Sequence, residues 1–224
     1  MATQTRVSTL LLKNVPLFAM LPEKQLAVLT GVVTRRSFPR GATIIAAGDV
    51  TDSLYVVITG TLKVTMSGDA GREIILSMLG PREYFGEMVP IDVSTRSASV
   101  ISLEPWELLV LSKHDFRKCL SENFQMAMTV LRGLVKRLRE ADRKIGSLAL
   151  MDVYGRVARL LLDMSETIDG QHVVTRKIVK RDIAKMVGAS REMVSRVMKH
   201  LQVGGYIDVR GNAIYLHDNI VDIG

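Results

Sequence analysis

The segment from Lys180 to Lys199 constrains the fold of this 224-residue chain more tightly than any other. Two short amphipathic stretches flank Gly188-Ala189-Ser190. Gly188 suits a left-handed turn, and Ser190 is a good N-cap for the second stretch. Ile183, Ala184, Val187, Ala189, Val194 and Val197 fall where two helices crossing at a steep angle must touch, with the small Ala184 at the closest approach. At about 100° per residue, Arg191, Glu192, Ser195, Arg196 and Lys199 share an arc of roughly 140° on the second helix, with Val194, Val197 and Leu201 behind them. A solvated surface helix accounts for a charged face. It does not account for small, glycine and apolar positions that coincide in this way. A helix with such a front, spanning residues 190–203, fits a DNA major groove.

The surroundings extend this reading. Gly204-Gly205 stops the helix, and Tyr206-Ile207-Asp208-Val209, Arg210-Gly211-Asn212 and Ala213-Ile214-Tyr215-Leu216 read as a hairpin. Helix-turn-helix plus hairpin is a winged helix. The net charge of +7 is unevenly placed: residues 1–116 balance to zero, residues 117–145 carry +5 and residues 176–217 carry +6. A basic patch on part of an otherwise neutral chain is the footprint of a polyanionic partner.

A different texture runs from about Ser37 to Ser112. Turn residues recur at Gly41, Gly48-Asp49, Gly60, Gly68-Asp69, Gly71 and Gly80-Pro81. Between them lie short β-branched runs at residues 43–45, 55–58, 63–66 and 73–76, followed by 99–101 and 108–111. Many short strands at regular spacing predict a small antiparallel sandwich or barrel. Residues 8–30 read as helical, broken at Pro16 and Pro22. Ser112 caps a further helical stretch, and a longer helix runs on to about Leu148, with another apolar-faced helix at 152–167. Ala127, Leu131, Leu134, Leu138, Ala141, Ile145 and Leu148 alternate spacings of four and three, a heptad seam that predicts a symmetric dimer interface. The alternative is a long helix packed on its own domain.

Hydrophobic residues make up 47% of the chain, enough for real cores. No apolar run approaches the roughly 18–20 residues of a membrane span, and Met1 to Arg6 lack a signal-peptide start. The single Cys119 excludes an internal disulfide and fits a reducing compartment. The expectation is a cytoplasmic protein of the α+β class with three parts: a sensor over 1–118, a dimerisation helix and hinge over 119–150, and a DNA-binding domain over 151–224.

Between residues 80 and 98 sits a second constellation. Gly86-Glu87 follows a strand and turn, a short loop or helical turn runs through Ile91-Asp92, and Arg96-Ser97-Ala98 come next. A bound phosphate calls for an Arg and backbone N–H groups, and a ribose hydroxyl for a carboxylate acceptor. A plain surface loop with a Glu–Arg ion pair has the same composition. Here the whole chain resembles the cyclic-AMP receptor protein and fumarate–nitrate regulator (CRP/FNR) family of bacterial transcription factors. Phe85-Gly86-Glu87 with Arg96-Ser97-Ala98 is similar to the family's phosphate-binding cassette. Leu148-Ala149-Leu150-Met151-Asp152-Val153 with Gly155-Arg156 resembles its hinge, and Ser190-Arg191-Glu192 with Ser195-Arg196 its DNA-reading helix. The resemblance implies a β-roll sensor of jelly-roll type, a long dimerisation helix and a winged helix. It further implies a cyclic nucleotide held by Gly86, Glu87, Arg96 and Ser97, half-sites like TGTGA, and RNA polymerase as a partner beside double-stranded DNA and a second copy of the chain.

One position departs from the family pattern. Where the cyclic-AMP receptor carries a Thr-Ser pair that bonds adenine, alignment through Lys144-Ile145-Gly146 places Ala141 and Asp142. Ala141 has no side-chain hydrogen bond to offer, and an ionised Asp142 only accepts. The adjacent N1–H and N2–H of guanine match a carboxylate better than adenine's donor beside an acceptor. Cyclic GMP or cyclic di-GMP thus stands beside cyclic AMP as effector; equally, Asp142 has Arg139 and Arg143 as partners on its own helix. Residues 1–30 hold no cysteines for an iron–sulfur sensor, and His114, His172, His200 and His217 form no metal-spaced pair. No nucleophile–base pattern is present, so no enzyme, metal or covalent cofactor is expected. Two rival readings are a constitutive DNA-binder with a vestigial sensor and a nucleotide-binding regulatory subunit acting on a protein partner.

Overall fold

The computed structural model describes residues 7–68, 71–92 and 94–223. The expectations for Met1 to Arg6 and for a turn at Asp69 lie outside the described residues. The chain divides into two compact units, one reaching to Arg137 and the other from Leu138 onward.

In the first unit, α1 (Thr9–Lys13) and α2 (Glu23–Val32) precede β1 (Thr34–Phe38), β2 (Thr43–Ile45), β3 (Leu54–Thr59), β4 (Leu62–Ser67), β5 (Glu73–Leu79) and β6 (Tyr84–Phe85). Then come α3 (Met88–Asp92), β7 (Ser99–Ser102), β8 (Trp106–Leu111), α4 (Lys113–Glu122) and the start of α5 (Phe124–Leu150). The strands form two antiparallel four-stranded sheets, ordered β1-β8-β3-β6 and β2-β7-β4-β5.

The unbroken apolar runs at β3 and β8 have a physical reason. Successive strand side chains point to opposite faces, and here both faces are covered. Tyr55, Val57, Leu108 and Val110 join the core with Ile45, Leu62, Phe85 and Trp106. Leu54, Val56, Leu109 and Leu111 join a second core with Leu12, Phe18, Leu26, Phe116, Met126 and Val130 from the helices. The cap at Ser112 is formed: its hydroxyl accepts from the Asp115 N–H.

The second unit continues α5 and adds α6 (Val153–Met164), β9 (Glu166–Ile168), β10 (Gln171–Val174), α7 (Lys180–Val187), α8 (Arg191–Val203), β11 (Ile207–Arg210) and β12 (Ala213–Leu216). Its sheet is ordered β11-β12-β10-β9. The helix expected over 152–167 stops earlier, at Met164, and Glu166 to Val174 form a hairpin instead. Asp169 and Gly170 both adopt positive φ at its turn, and Asp-Gly is the pair such turns favour.

Candidate functional site

Two constellations emerge, one in each unit. In the sensor, Gly86 has φ of +84°, and a Cβ there would lie 2.7 Å from Arg96 Nη1 and 2.8 Å from the Ser53 carbonyl. Only glycine lets the chain pass this close to the guanidinium. Arg96 is 5% exposed. Its Nη1 donates to Gly86 O at 2.8 Å, Nη2 to Ser53 O at 2.7 Å and Nε to Thr51 Oγ1 at 3.2 Å. Its guanidinium carbon lies 5.8 Å from the centre of the Tyr55 ring, which itself stacks on Phe85.

No carboxylate pairs with Arg96 among the described residues. Burial therefore lowers its pKa, with Tyr55, Asp52, Glu87 and Asp49 acting in the opposite sense. A guanidinium offers five N–H groups; three are used, which leaves donors for an anion.

Glu87 is fully buried. One of its oxygens accepts from Arg137 Nη1, and the other has no partner. A buried acceptor left unsatisfied costs about 1–3 kcal/mol, and a hydroxyl donor would remove that cost. Arg137 also donates to the Tyr84 carbonyl and lies over the Tyr84 ring. The Tyr84 hydroxyl abuts Gly133, where any Cβ would collide with it. Burial raises the Tyr84 pKa, opposed by Arg137.

The structure thus brings Gly86, Glu87 and Arg96 together. Ser97 follows Arg96 in an exposed bend. Asp142 is exposed on α5 in the second unit, and it joins no ion pair among the described residues. Arg143 instead donates to the Arg139 carbonyl at 3.4 Å.

Sequence reasoning missed Arg137, Tyr84, Thr51 and Ser53. Arg137 reads as one more cation on a basic helix. The available signal was its position one turn beyond Gly133, on the face that carries the buried Met126 and Val130.

In the second unit, Gly188 closes α7 with φ of +66° and ψ of +44°. The Ser190 hydroxyl accepts from the Met193 N–H at 3.1 Å and caps α8. Ile183, Ala184, Val187, Val194, Val197 and Leu201 are buried in one cluster, to which Met198 also belongs. On the opposite face Arg191, Glu192, Arg196 and Lys199 are exposed and Ser195 is half-buried. None of the three cations is ion-paired among the described residues. The Glu192 pKa is lowered by hydrogen bonding to its own backbone N–H and to the Ser190 hydroxyl, with Arg191 and Arg196 adding to the effect. An ionised acceptor between free cations is suited to reading base edges.

Along α5 the seam residues differ in environment. Leu131, Leu138, Ala141 and Ile145 are exposed, Ala127 is half-buried, and Leu134 packs partly against the sensor core. Val135, not counted in the seam, is exposed as well.

A β-roll with a buried anion-ready cassette and a winged helix with a basic reading face together define a sensor-linked DNA-binding regulator. Residues 35–123 match the cyclic nucleotide-binding domain family, and residues 155–219 match the Crp-like helix-turn-helix domain. The cAMP-activated global transcriptional regulator Vfr of Pseudomonas aeruginosa is 34% identical over 201 residues, which cover 85% of this chain and 92% of Vfr. The CRP-like cAMP-activated global transcriptional regulator of Mycobacterium tuberculosis is 29% identical over 93% of this chain and 95% of its own length. The solved structure of the c-di-GMP responsive global regulator CLP of Xanthomonas campestris superposes with a TM-score of 0.70 at 28% identity, covering 88% of this chain and 99% of that one. The chain belongs to the CRP/FNR family of transcription regulators. Among the described residues no helix is long and apolar enough to cross a membrane.

Proposed function

We propose that this protein is a homodimeric transcription regulator that binds an inverted-repeat operator and is gated by a cyclic nucleotide in its β-roll. Residues 1–118 act as sensor, 119–150 as dimerisation helix and hinge, and 151–224 as DNA reader, in a cytoplasmic protein that works on RNA polymerase. The observation that carries the gating is the buried, unpaired Arg96 beside a Glu87 oxygen with no partner. In this reading Arg96 faces the phosphate with its two remaining donors, Glu87 accepts from a ribose hydroxyl, and Gly86 with Ser97 closes the cradle. The seam residues Leu131, Leu138, Ala141 and Ile145, flanked by Ala127 and Leu134, pair the protomers. The helices from Ser190 then lie about one DNA turn apart, roughly 34 Å, on half-sites like TGTGA.

Asp142 favours guanine over adenine on its acceptor-only chemistry, so cyclic GMP or cyclic di-GMP is the preferred effector over cyclic AMP. The relatives Vfr and CLP, cAMP-activated and c-di-GMP responsive respectively, support the ligand class and divide on the base. The deciding experiment is calorimetry of wild type and Asp142→Ser with the three nucleotides, alongside operator binding with and without each. Tight cyclic AMP binding that the substitution leaves unchanged refutes the guanine preference. A second reading has its own support. Arg96 already braces three oxygens and Glu87 already holds Arg137, as a structural remnant would. Failure of every cyclic nucleotide to bind at millimolar concentration establishes that constitutive regulator.

A further inference from the structure

Outside the cassette, the first unit carries a cleft of about 590 Å³ lined by Asp52, Lys113, His114, Arg117, Lys118 and Ser121. Three permanent cations face one carboxylate there. The positions follow from α4: residues 113, 117 and 121, and likewise 114 and 118, are one turn apart and share a side of the helix. Lys113 reaches Asp52 only at 3.9 Å. Arg117 and Lys118 join no ion pair among the described residues, and both are exposed. The cleft thus gathers more positive charge than it neutralises, with a hydroxyl at its edge.

We infer that this cleft is a second, separate anion site that takes an oligophosphate. Arg117 offers the Nη1–Nη2 end of its planar fork for one phosphoryl group, and Lys113 and Lys118 offer point charges for the next; the Ser121 hydroxyl at the edge already donates to the Lys118 carbonyl at 2.9 Å. A single phosphate underfills both the volume and the charge.

The site is also wired to the cassette. Asp52 sits between Thr51 and Ser53, the two residues whose oxygens hold Arg96. Arg117 donates to Pro90 O at 2.6 Å and to Ile91 O at 3.5 Å, at the end of the helix that begins next to Glu87. An anion that draws Lys113 from Asp52 and engages Arg117 therefore acts on both segments that frame Arg96. This linkage is mechanical and does not depend on a cyclic nucleotide being the cassette ligand.

The test is calorimetric titration of the full-length protein with tripolyphosphate and, separately, ATP, at fixed ionic strength and without cyclic nucleotide. The expected dissociation constant is below about 1 mM, with a loss of about tenfold or more in Lys113→Ala/Lys118→Ala. Equal affinity for the two probes assigns recognition to the phosphates alone, and tighter ATP binding identifies a nucleoside triphosphate as the source. Amide hydrogen exchange over residues 49–53 and 86–92 is expected to change on tripolyphosphate binding in wild type and not in the double variant. Wild-type affinity in the double variant overturns the site. So does equally tight binding of a poly-glutamate of matched charge, which identifies a surface for an acidic protein segment. Unchanged exchange in both segments overturns the linkage.

Discussion

The sensor and the DNA-binding unit use the same two side chains, Arg and Glu, in opposite environments. Arg96 and Glu87 are buried in the β-roll, whereas Arg196 and Glu192 stand in solvent on α8. A buried guanidinium without a counter-charge has lost its hydration and gains strongly from one well-placed anion. An exposed guanidinium keeps its hydration, so each contact is worth less and is screened by salt. The difference teaches what each region is built for: few, strong, all-or-none contacts with a small ligand, against many modest contacts whose sum separates one DNA sequence from another.

That contrast is most easily broken at Arg96. Arg96→Leu removes a charge and two free donors, and about 100-fold or more in cyclic-nucleotide affinity should go with them. The same change orphans Gly86 O, Ser53 O and Thr51 Oγ1, so the melting temperature should fall as well. Arg96→Lys separates the two effects, because it retains the charge, lacks the fork and keeps the sensor folded. If Arg96→Lys and wild type bind nucleotide equally in calorimetry, the fork has no ligand role.

The next largest effect concerns the seam. Leu138 is 62% exposed in the protomer, so Leu138→Asp leaves each unit's core untouched while placing two unpaired carboxylates in a dimer interface. The cost is on the order of several kcal/mol, and the variant should be monomeric at low micromolar concentration by analytical ultracentrifugation. A persisting dimer refutes the seam. Leu134→Asp is the less clean probe, since Leu134 also packs on the sensor core.

How much of the molecule is legible in its residues depends on the range of the forces involved. The Gly188 turn, the Ser190 cap and the apolar back of α8 are local, set by residues within a turn or two, and they appear where the pattern places them. The strands at β3 and β8 are legible because burial on both faces leaves an unbroken apolar run. β1 is not, because Thr34-Arg35-Arg36-Ser37-Phe38 has a polar and charged texture and pairs through its backbone with β8. Glu87 and Arg96 can be named only because Phe85-Gly86-Glu87 and Arg96-Ser97-Ala98 resemble the family's phosphate-binding cassette; the residue types alone also fit a plain surface loop. Arg137 cannot be named, because its partner lies 50 residues away and only the packing of α5 on the β-roll joins them. The hairpin at β9 and β10 is hidden by a helical pattern that runs on past Ser165, although Asp169-Gly170 carries the turn signal.

On the DNA side the effects are smaller and should be graded by role. Arg196→Ala should cost about 1–3 kcal/mol on the operator and relax one base position. Lys199→Ala should weaken operator and random DNA alike and lower the salt slope by about one. Binding isotherms on both DNAs across a salt series distinguish the two. Equal losses for Arg196→Ala on operator and random sequence would remove it from base reading.

The smallest expected effect is a flat response to pH. Hydrogen bonds to its own backbone N–H and to the Ser190 hydroxyl, aided by Arg191 and Arg196, hold the Glu192 pKa below the usual carboxylate range. A lowered pKa means that the acceptor form is fully present above the ordinary range and is lost only as pH falls through the lowered value. A carboxylate acceptor reads cytosine through its N4–H, so discrimination at a cytosine contacted by Glu192 should not change between about pH 5.5 and pH 8. Total affinity is the wrong observable, because it sums every phosphate contact along with the base contact. The ratio of affinities for the operator and for an operator substituted at that one base pair cancels this contribution. A ratio that collapses between pH 7 and pH 6 would show that a group other than Glu192 reads the position.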